Sequence, residues 1–237
     1  MIEAEKKEQP TKTKLGFRVL VKVVIGISIV FGLMFFINRV ISYNISDLKV
    51  AYYFSILASN ILFVILILAI KGRELSWADL GFRKIRFLTG LKEVLKVWAI
   101  TWLINLLYLI TVLNTVFNKP YNHLPENPLL ELLQNPTVQM FILNLIIIAL
   151  AVPVIEETLF RGLLFGSFKT YFGVWTAVTL SAIIFSALHF DLFGFFPRLV
   201  LGVGLGYLYV KNNSILPSIG LHGLNNFFAV LMISLFA

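Results

Sequence analysis

Apolar residues run along this chain in stretches too long for a soluble core, separated by short polar connections. A helix that crosses a bilayer needs about 20 mostly apolar residues. On that criterion the pattern predicts spans near 19–38, 50–70, 95–117, 138–167, 174–190, 193–210 and 214–236. The second, VAYYFSILASNILFVILILAI, is free of charge throughout. The fourth is over-long and would divide if it broke near Pro153, so the pattern predicts about seven to eight transmembrane helices. The fifth and sixth are separated only by FDLFGFFPR, which predicts a kinked or tilted pair. The expected fold class is therefore all-α, a polytopic integral membrane helix bundle. Residues 1–18 are expected to form a disordered cytosolic tail, and 19–237 a single transmembrane domain. The first apolar run ends at Asn38-Arg39 with no small-residue cleavage site, so it reads as an uncleaved span.

Composition agrees with the pattern. Of 237 residues 59% are hydrophobic and only 14% charged, against roughly a quarter charged in a soluble domain. The net charge of +8 could suggest nucleic acid, but the Lys and Arg flank apolar spans, where they set orientation and meet anionic lipid. Membrane lipid is the expected partner, and nucleic acid is not. Basic residues in the N-terminal tail and at Lys71–Lys92 predict that both regions are cytosolic, with the turn at Lys169–Gly173 on the same side. The stretch ELSWADLGFRKIRFLTGLKEV is amphipathic and is expected on the inner membrane surface. Cysteine is absent, which excludes disulfides, thiolate metal sites and a cysteine nucleophile.

The polar residues inside the spans change the picture. A charge at the bilayer centre costs about 2.5–3.5 kcal/mol on insertion scales, so it is rarely there without a partner or a task. Glu156, Glu157 and Arg161 lie in the fourth predicted span, His189 in the fifth, and His222 with Asn226 in the seventh. Glu156 precedes the turn near residue 171 by about fifteen residues and His189 follows it by about seventeen. At ~1.5 Å per residue, two antiparallel helices bring them to the same depth. Glu157 and Arg161 are four apart, the spacing and order of a helical ion pair, and that pair reads as structural. Glu156 points ~100° away and is free to face a cavity. His222 and Asn226 share one helix face.

Such a set suits peptide hydrolysis. A carboxylate can take a proton from water, an imidazole can share that water, and an amide with a second imidazole can donate to a carbonyl oxygen as it gains charge. No cofactor is required for this, although Glu156, His189 and His222 are also acceptable Zn²⁺ ligands with an open fourth position. An ion relay through the same residues, or an inactive immunity or scaffold role, are the alternatives. Other hydrolase signatures are missing: there is no HExxH, no GxSxG and no GxGD within a span. GVGLG, Gly202 to Gly206, reads as helix packing, His123 as a solvated loop residue, and Asp191 with Arg198 as a pair near one membrane face.

Glu156-Glu157-x-x-x-Arg161, Phe185-x-x-x-His189 and His222-x-x-x-Asn226, in that order and each in an apolar span, resemble the CAAX-processing and bacteriocin-processing intramembrane proteases, the CPBP or Abi family. Trp77 to Arg83, WADLGFR, resembles a recurrent stretch of bacterial members. The resemblance implies a helical core with a cavity open to the cytosolic side. It implies that Glu156 and His189 activate water, that His222 and Asn226 form an oxyanion hole, that Glu157 and Arg161 support them, and that Phe185 packs beside the site. It does not establish a metal. Substrates implied are prenylated C-terminal tails or bacteriocin-related peptides, and the compact chain looks bacterial.

Overall fold

The computed structural model describes residues 14–112 and 133–236. Among them stand seven helices: α1 (Phe17–Asn44), α2 (Leu48–Lys71), α3 (Phe87–Val112), α4 (Val138–Phe172), α5 (Val174–Ala187), α6 (Phe195–Asn212) and α7 (Leu216–Phe236). No strand occurs among the described residues. The helix ends follow local chemistry. Asp47 caps α2 by accepting from the Val50 N–H at 3.0 Å, and Thr137 caps α4 by accepting from Met140 at 3.3 Å. Gly173 alone separates α4 from α5, at φ +79°, a backbone region that suits glycine.

Five of the helices, α1, α2, α3, α4 and α7, are long and apolar enough to cross a membrane. The pattern predicted seven to eight, and the difference lies in its fifth and sixth spans. α5 has only 14 residues, about 21 Å of helix, and α6 has 18 with Arg198 and Lys211 inside it. Between them Phe190 takes φ +52°, and Asp191 accepts from the Gly194 N–H at 3.1 Å and from Arg198 Nη2 at 2.9 Å. The Ser186 hydroxyl donates to the Phe195 carbonyl. These local bonds end α5 early and turn the chain back. The break at Pro153 that would have given an eighth span does not occur, because π-helical turns at Leu145–Ala151 and Thr158–Phe165 keep α4 continuous on both sides of it. His123 and residues 1–13 lie outside the described residues.

Two larger apolar clusters, with a small third around Leu133 and Val230, hold the bundle. One joins α1, α2, α4 and α5 around Val23, Ile67, Leu163 and Phe185; the other joins α3, α6 and α7 around Val97, Leu205 and Leu221. The GVGLG stretch sits in a close crossing: a Cβ on Gly202 would lie 3.0 Å from Ala182, and one on Gly206 2.9 Å from Val178, both on α5.

The amphipathic segment expected on the inner membrane surface is irregular before α3. Residues 74–86 are irregular, with Leu75 and Leu80 buried, and α3 begins only at Phe87. Gly81, at φ +91°, accepts from the Ile215 N–H at 2.8 Å, and the Ser214 hydroxyl donates to the Arg83 carbonyl at 2.6 Å. Arg83 also donates to the Asn213 side chain. The WADLGFR stretch is thus a bracket between the α6–α7 turn and α4. It closes over Gly162, whose missing Cβ would stand 3.0 Å from the Leu80 carbonyl. Leu75 and Leu80 of its apolar side face protein, while Trp77 and Leu88 remain exposed.

Candidate active site

Glu157 and Arg161 are both wholly enclosed, and Arg161 Nη1 donates to Glu157 Oε1 at 3.0 Å. Arg161 Nη2 donates to the Gly202 carbonyl on α6 at 3.0 Å, and its guanidinium lies 4.9 Å from the Phe185 ring centre. The guanidinium therefore ties α4 to α5 and α6 at once. Two charged side chains taken so far from water need such partners, because each is costly to bury alone.

The pair is not isolated from the rest of the site. His222 on α7 donates from Nδ1 to the same Glu157 oxygen, at 2.9 Å, since a carboxylate can only accept. Its other nitrogen, Nε2, is 3.7 Å from Glu156 Oε2. One imidazole thus bridges the two neighbouring carboxylates, the first by a hydrogen bond and the second across a short gap. Glu157, expected to serve only Arg161, also sets the orientation of His222. Glu156 Oε2 has no hydrogen-bond partner, and its side chain is 25% exposed where that of Glu157 is 0%.

His189 lies just past the end of α5 rather than within a span, on the exposed side of the fold. Its Nδ1 donates to the Phe185 carbonyl at 2.7 Å, which leaves Nε2 with a lone pair. It lies within electrostatic range of Glu156, His222 and Arg198. Phe185 packs edge-on against both imidazoles, with ring centres 5.0 Å from His189 and 5.6 Å from His222. From Glu157 through His222 and Glu156 to His189, the site runs from fully enclosed to open.

Asn226 has a place that spacing alone did not suggest. At the end of the first π-helical stretch, Val152 donates its N–H five residues back, to Ile147. The next donor in that register would be Pro153, which has none, so the Ile148 carbonyl loses its helical partner. Asn226 Nδ2 donates to that carbonyl at 2.9 Å. The neighbouring carbonyl, Ala149, faces Gly223, where a Cβ would approach it to 2.8 Å. Pro153, Gly223 and Asn226 form one joint between α4 and α7, and one amide hydrogen of Asn226 remains uncommitted. The signal for it in the sequence is the Pro three residues before Glu156 together with the Gly following His222.

Among the described residues, no three His, Asp or Glu side chains come together as metal ligands. His222 spends Nδ1 on Glu157 and His189 spends Nδ1 on Phe185, so Nε2 is the ring nitrogen each would have left for a ligand. Beside the site, an apolar cavity of about 460 Å³ opens between α2, the Trp77–Phe82 bracket and α4, where Val154, Ile155 and Thr158 line it. Another, of about 610 Å³, lies between α3 and α7 and includes Asn225.

Fold and site together define a class: a helical integral membrane protein with a buried carboxylate–imidazole–guanidinium network opening onto a second carboxylate and imidazole. Residues 138–228 match the family model described as Rce1-like, Type II CAAX prenyl endopeptidase Rce1-like. The matched residues run from the start of α4 into α7 and contain all three motifs. No curated protein and no solved structure matches the chain.

Proposed function

We propose that this protein is an intramembrane endopeptidase that uses Glu156 and His189 to activate water and His222 with Asn226 to receive the oxyanion. The observation that carries the reading is the contrast between adjacent carboxylates: Glu157 is wholly enclosed and accepts from both Arg161 and His222 through Oε1, while the Glu156 side chain, beside His222, is 25% exposed and accepts no hydrogen bond among the described residues. Glu156 takes a proton from water held also by His189 Nε2. The water oxygen adds to the scissile carbonyl carbon, and the negative charge on its oxygen meets the free amide hydrogen of Asn226. In its protonated form His222 gives Nδ1–H to Glu157 and holds Nε2–H for the same oxygen. Collapse breaks the C–N bond, and the proton on Glu156 passes to the leaving amine. No step requires a metal.

The matched family model supports a prenylated peptide as substrate, and the 460 Å³ apolar cavity beside Ile155 suits a hydrocarbon chain; a bacteriocin-related peptide is the alternative. The Lys/Arg bias supports a cytosolic N-terminus and cleavage near the cytosolic face, in a bacterial plasma membrane. The test is peptide hydrolysis by the purified protein, wild type against Glu156→Gln, with prenylated and unprenylated peptides. General-base loss typically lowers rate ~10²–10⁴-fold, so Glu156→Gln should be nearly inactive yet folded. If Glu156→Gln keeps the full biological effect of wild type, the protein acts as a scaffold or immunity factor instead.

A further inference from the structure

Between α3 and α7 the outer surface of the bundle is hollowed. The apolar cavity of about 610 Å³ there is walled by Trp98, Trp102, Leu103 and Leu106 on α3 and by Phe228 and Met232 on α7. Its size is that of a small-ligand pocket, typically about 300–1,000 Å³. A half-buried carboxamide, Asn225, also lines it. Its one hydrogen bond among the described residues is long, Nδ2 to Asn226 Oδ1 at 3.5 Å, so a second amide hydrogen is free. Facing hydrocarbon, such a group is costly until something pairs with it. The Phe228 and Trp98 ring centres are 4.8 Å apart, and a Cβ on Gly220 would stand 3.7 Å from Val94. Asn225 therefore lies level with Lys96 to Trp98 on α3. Lys92, Lys96, Ala99, Leu103 and Leu106 follow one another at spacings of four and three, which makes them one stripe of the helix. The stripe is basic in its first turn and apolar beyond it, and every member is exposed. Glu93, the acid beside the two lysines, is paired with Lys211 at 2.7 Å, and Lys96 feels it only at longer range. Neither Lys92 nor Lys96 forms a salt bridge among the described residues.

We infer that the α3–α7 groove binds one anionic phospholipid, with its phosphate on Lys92 and Lys96, an ester carbonyl on the free Asn225 amide hydrogen, and an acyl chain along Leu103, Leu106 and Met232. The order of groups along the groove is the order of parts in such a lipid: charge, then ester, then hydrocarbon. Basic positions bordering a cleft between membrane helices bind anionic head groups in this way. A zwitterionic lipid brings a cation of its own and gains less from the lysines. A transmembrane helix from a partner or a second copy would fill the apolar part, but it brings no anion to the lysines. Its backbone groups are bonded within the helix and cannot serve Asn225. The site uses no active-site chemistry, so it stands or falls apart from the endopeptidase reading.

The experiment uses the groove's own indoles as reporters. Full-length protein carrying Trp77→Phe and Trp175→Phe keeps Trp98 and Trp102, both in the groove. It is placed in phosphatidylcholine vesicles at low salt, and lipids brominated on their acyl chains are titrated in, since bromine quenches an indole that it touches. One series uses brominated phosphatidylglycerol and the other brominated phosphatidylcholine. Each lysine beside an anionic head group is worth roughly fivefold in affinity, so half-quenching by the glycerol lipid should come at a mole fraction on the order of tenfold lower. Lys92→Gln with Lys96→Gln should bring the two series together. Lys84→Gln with Arg86→Gln, an equal loss of charge outside the stripe, should leave them apart. Unlabelled diether phosphatidylglycerol, which lacks the ester carbonyl, should compete less well than the diester on the Trp98/Trp102 protein and equally well once Asn225→Leu is added. Glycerol phosphate, a head group without chains, should displace nothing. Equal quenching by the two brominated lipids overturns the inference, and so does a gap that survives the Lys92/Lys96 pair or closes as far with the Lys84/Arg86 pair. Displacement by glycerol phosphate overturns it in favour of a plain anion site. Absence of quenching by either lipid overturns it as well, and a doubled mass in light scattering would then show a second copy of the chain on this face.

Discussion

The α1–α2 hairpin and the α4–α7 bundle are similarly apolar along their helices, yet they are held in different ways. α1 and α2 pack through Val23, Ile27, Ile67 and Ile70 and leave Phe35, Phe36, Phe54 and Leu57 exposed on the outer face. In α4–α7 the enclosed residues include Asn144, Glu157, Arg161, Ser181, Ser218 and His222. In lipid, apolar contact with protein is little better than apolar contact with an acyl chain, so Leu and Ile scarcely choose a neighbour. A buried polar group has no such freedom, because it must find its partner. The hairpin is a lipid-facing pair, whereas the bundle is set by who bonds to whom.

The largest test of that contrast is Arg161→Met. Removing the guanidinium leaves Glu157 as an uncompensated buried charge, and breaking such a pair typically costs about 3–5 kcal/mol. The variant should show a lower yield and a lower unfolding temperature in detergent than any single truncation in the α1–α2 hairpin. The double variant Glu157→Gln with Arg161→Met removes both charges and should recover a good part of the loss. If the double is no more stable than Arg161→Met, the charge pair is not what the bundle depends on.

Asn226→Ala comes next, with two effects that can be separated. Loss of one oxyanion donor typically lowers rate ~10²–10³-fold. Leaving the Ile148 carbonyl without its donor typically costs about 1–3 kcal/mol. Adding Pro153→Ala restores a backbone N–H able to reach that carbonyl. Thermal unfolding of the double variant should therefore return toward wild type, while peptide hydrolysis stays low. Recovery of both together would make Asn226 structural only.

The sequence carried the polar half of this account better than the apolar half. Glu157–Arg161 follows from spacing four on one helix, and the nearness of His189 to Glu156 follows from counting outward from Gly173. The pairing of His222 with Glu157 could not be read, because it joins α7 to α4 across 65 positions and no local spacing encodes it. The hydropathy pattern gave seven to eight crossings where five helices are long and apolar enough to cross, for a related reason. Hydropathy scores residues 174–210 as two spans, but Ser186, Asp191 and Arg198 bond within the hairpin and end α5 at Ala187. The amphipathic pattern at residues 74–86 was legible, but the burial of Leu75 and Leu80 against protein was not, because a pattern reports that a segment has an apolar face, not what covers it. Pro153 was visible as a helix breaker. Its consequence was not, since whether a freed carbonyl breaks a helix depends on a donor supplied by another one.

Two glycines make the comparison sharper at the small end of the scale. Gly223 in α7 faces a backbone atom, and a methyl group there would stand 2.8 Å from the Ala149 carbonyl oxygen. The carbonyl cannot move without disturbing the joint at Pro153, so Gly223→Ala should lose about 1–3 kcal/mol, as overpacked sites do. Gly26 in α1 also has no open space, but the atom its methyl group would meet is Leu66 Cδ1, the far end of a flexible side chain on α2. Leu66 can turn aside into lipid at small cost, and alanine gains about 1 kcal/mol over glycine within a helix. Gly26→Ala should therefore unfold within a few degrees of wild type and keep full peptide hydrolysis. A Gly26→Ala protein as unstable as Gly223→Ala would show that the hairpin is packed as specifically as the bundle, and the distinction drawn between them would fail.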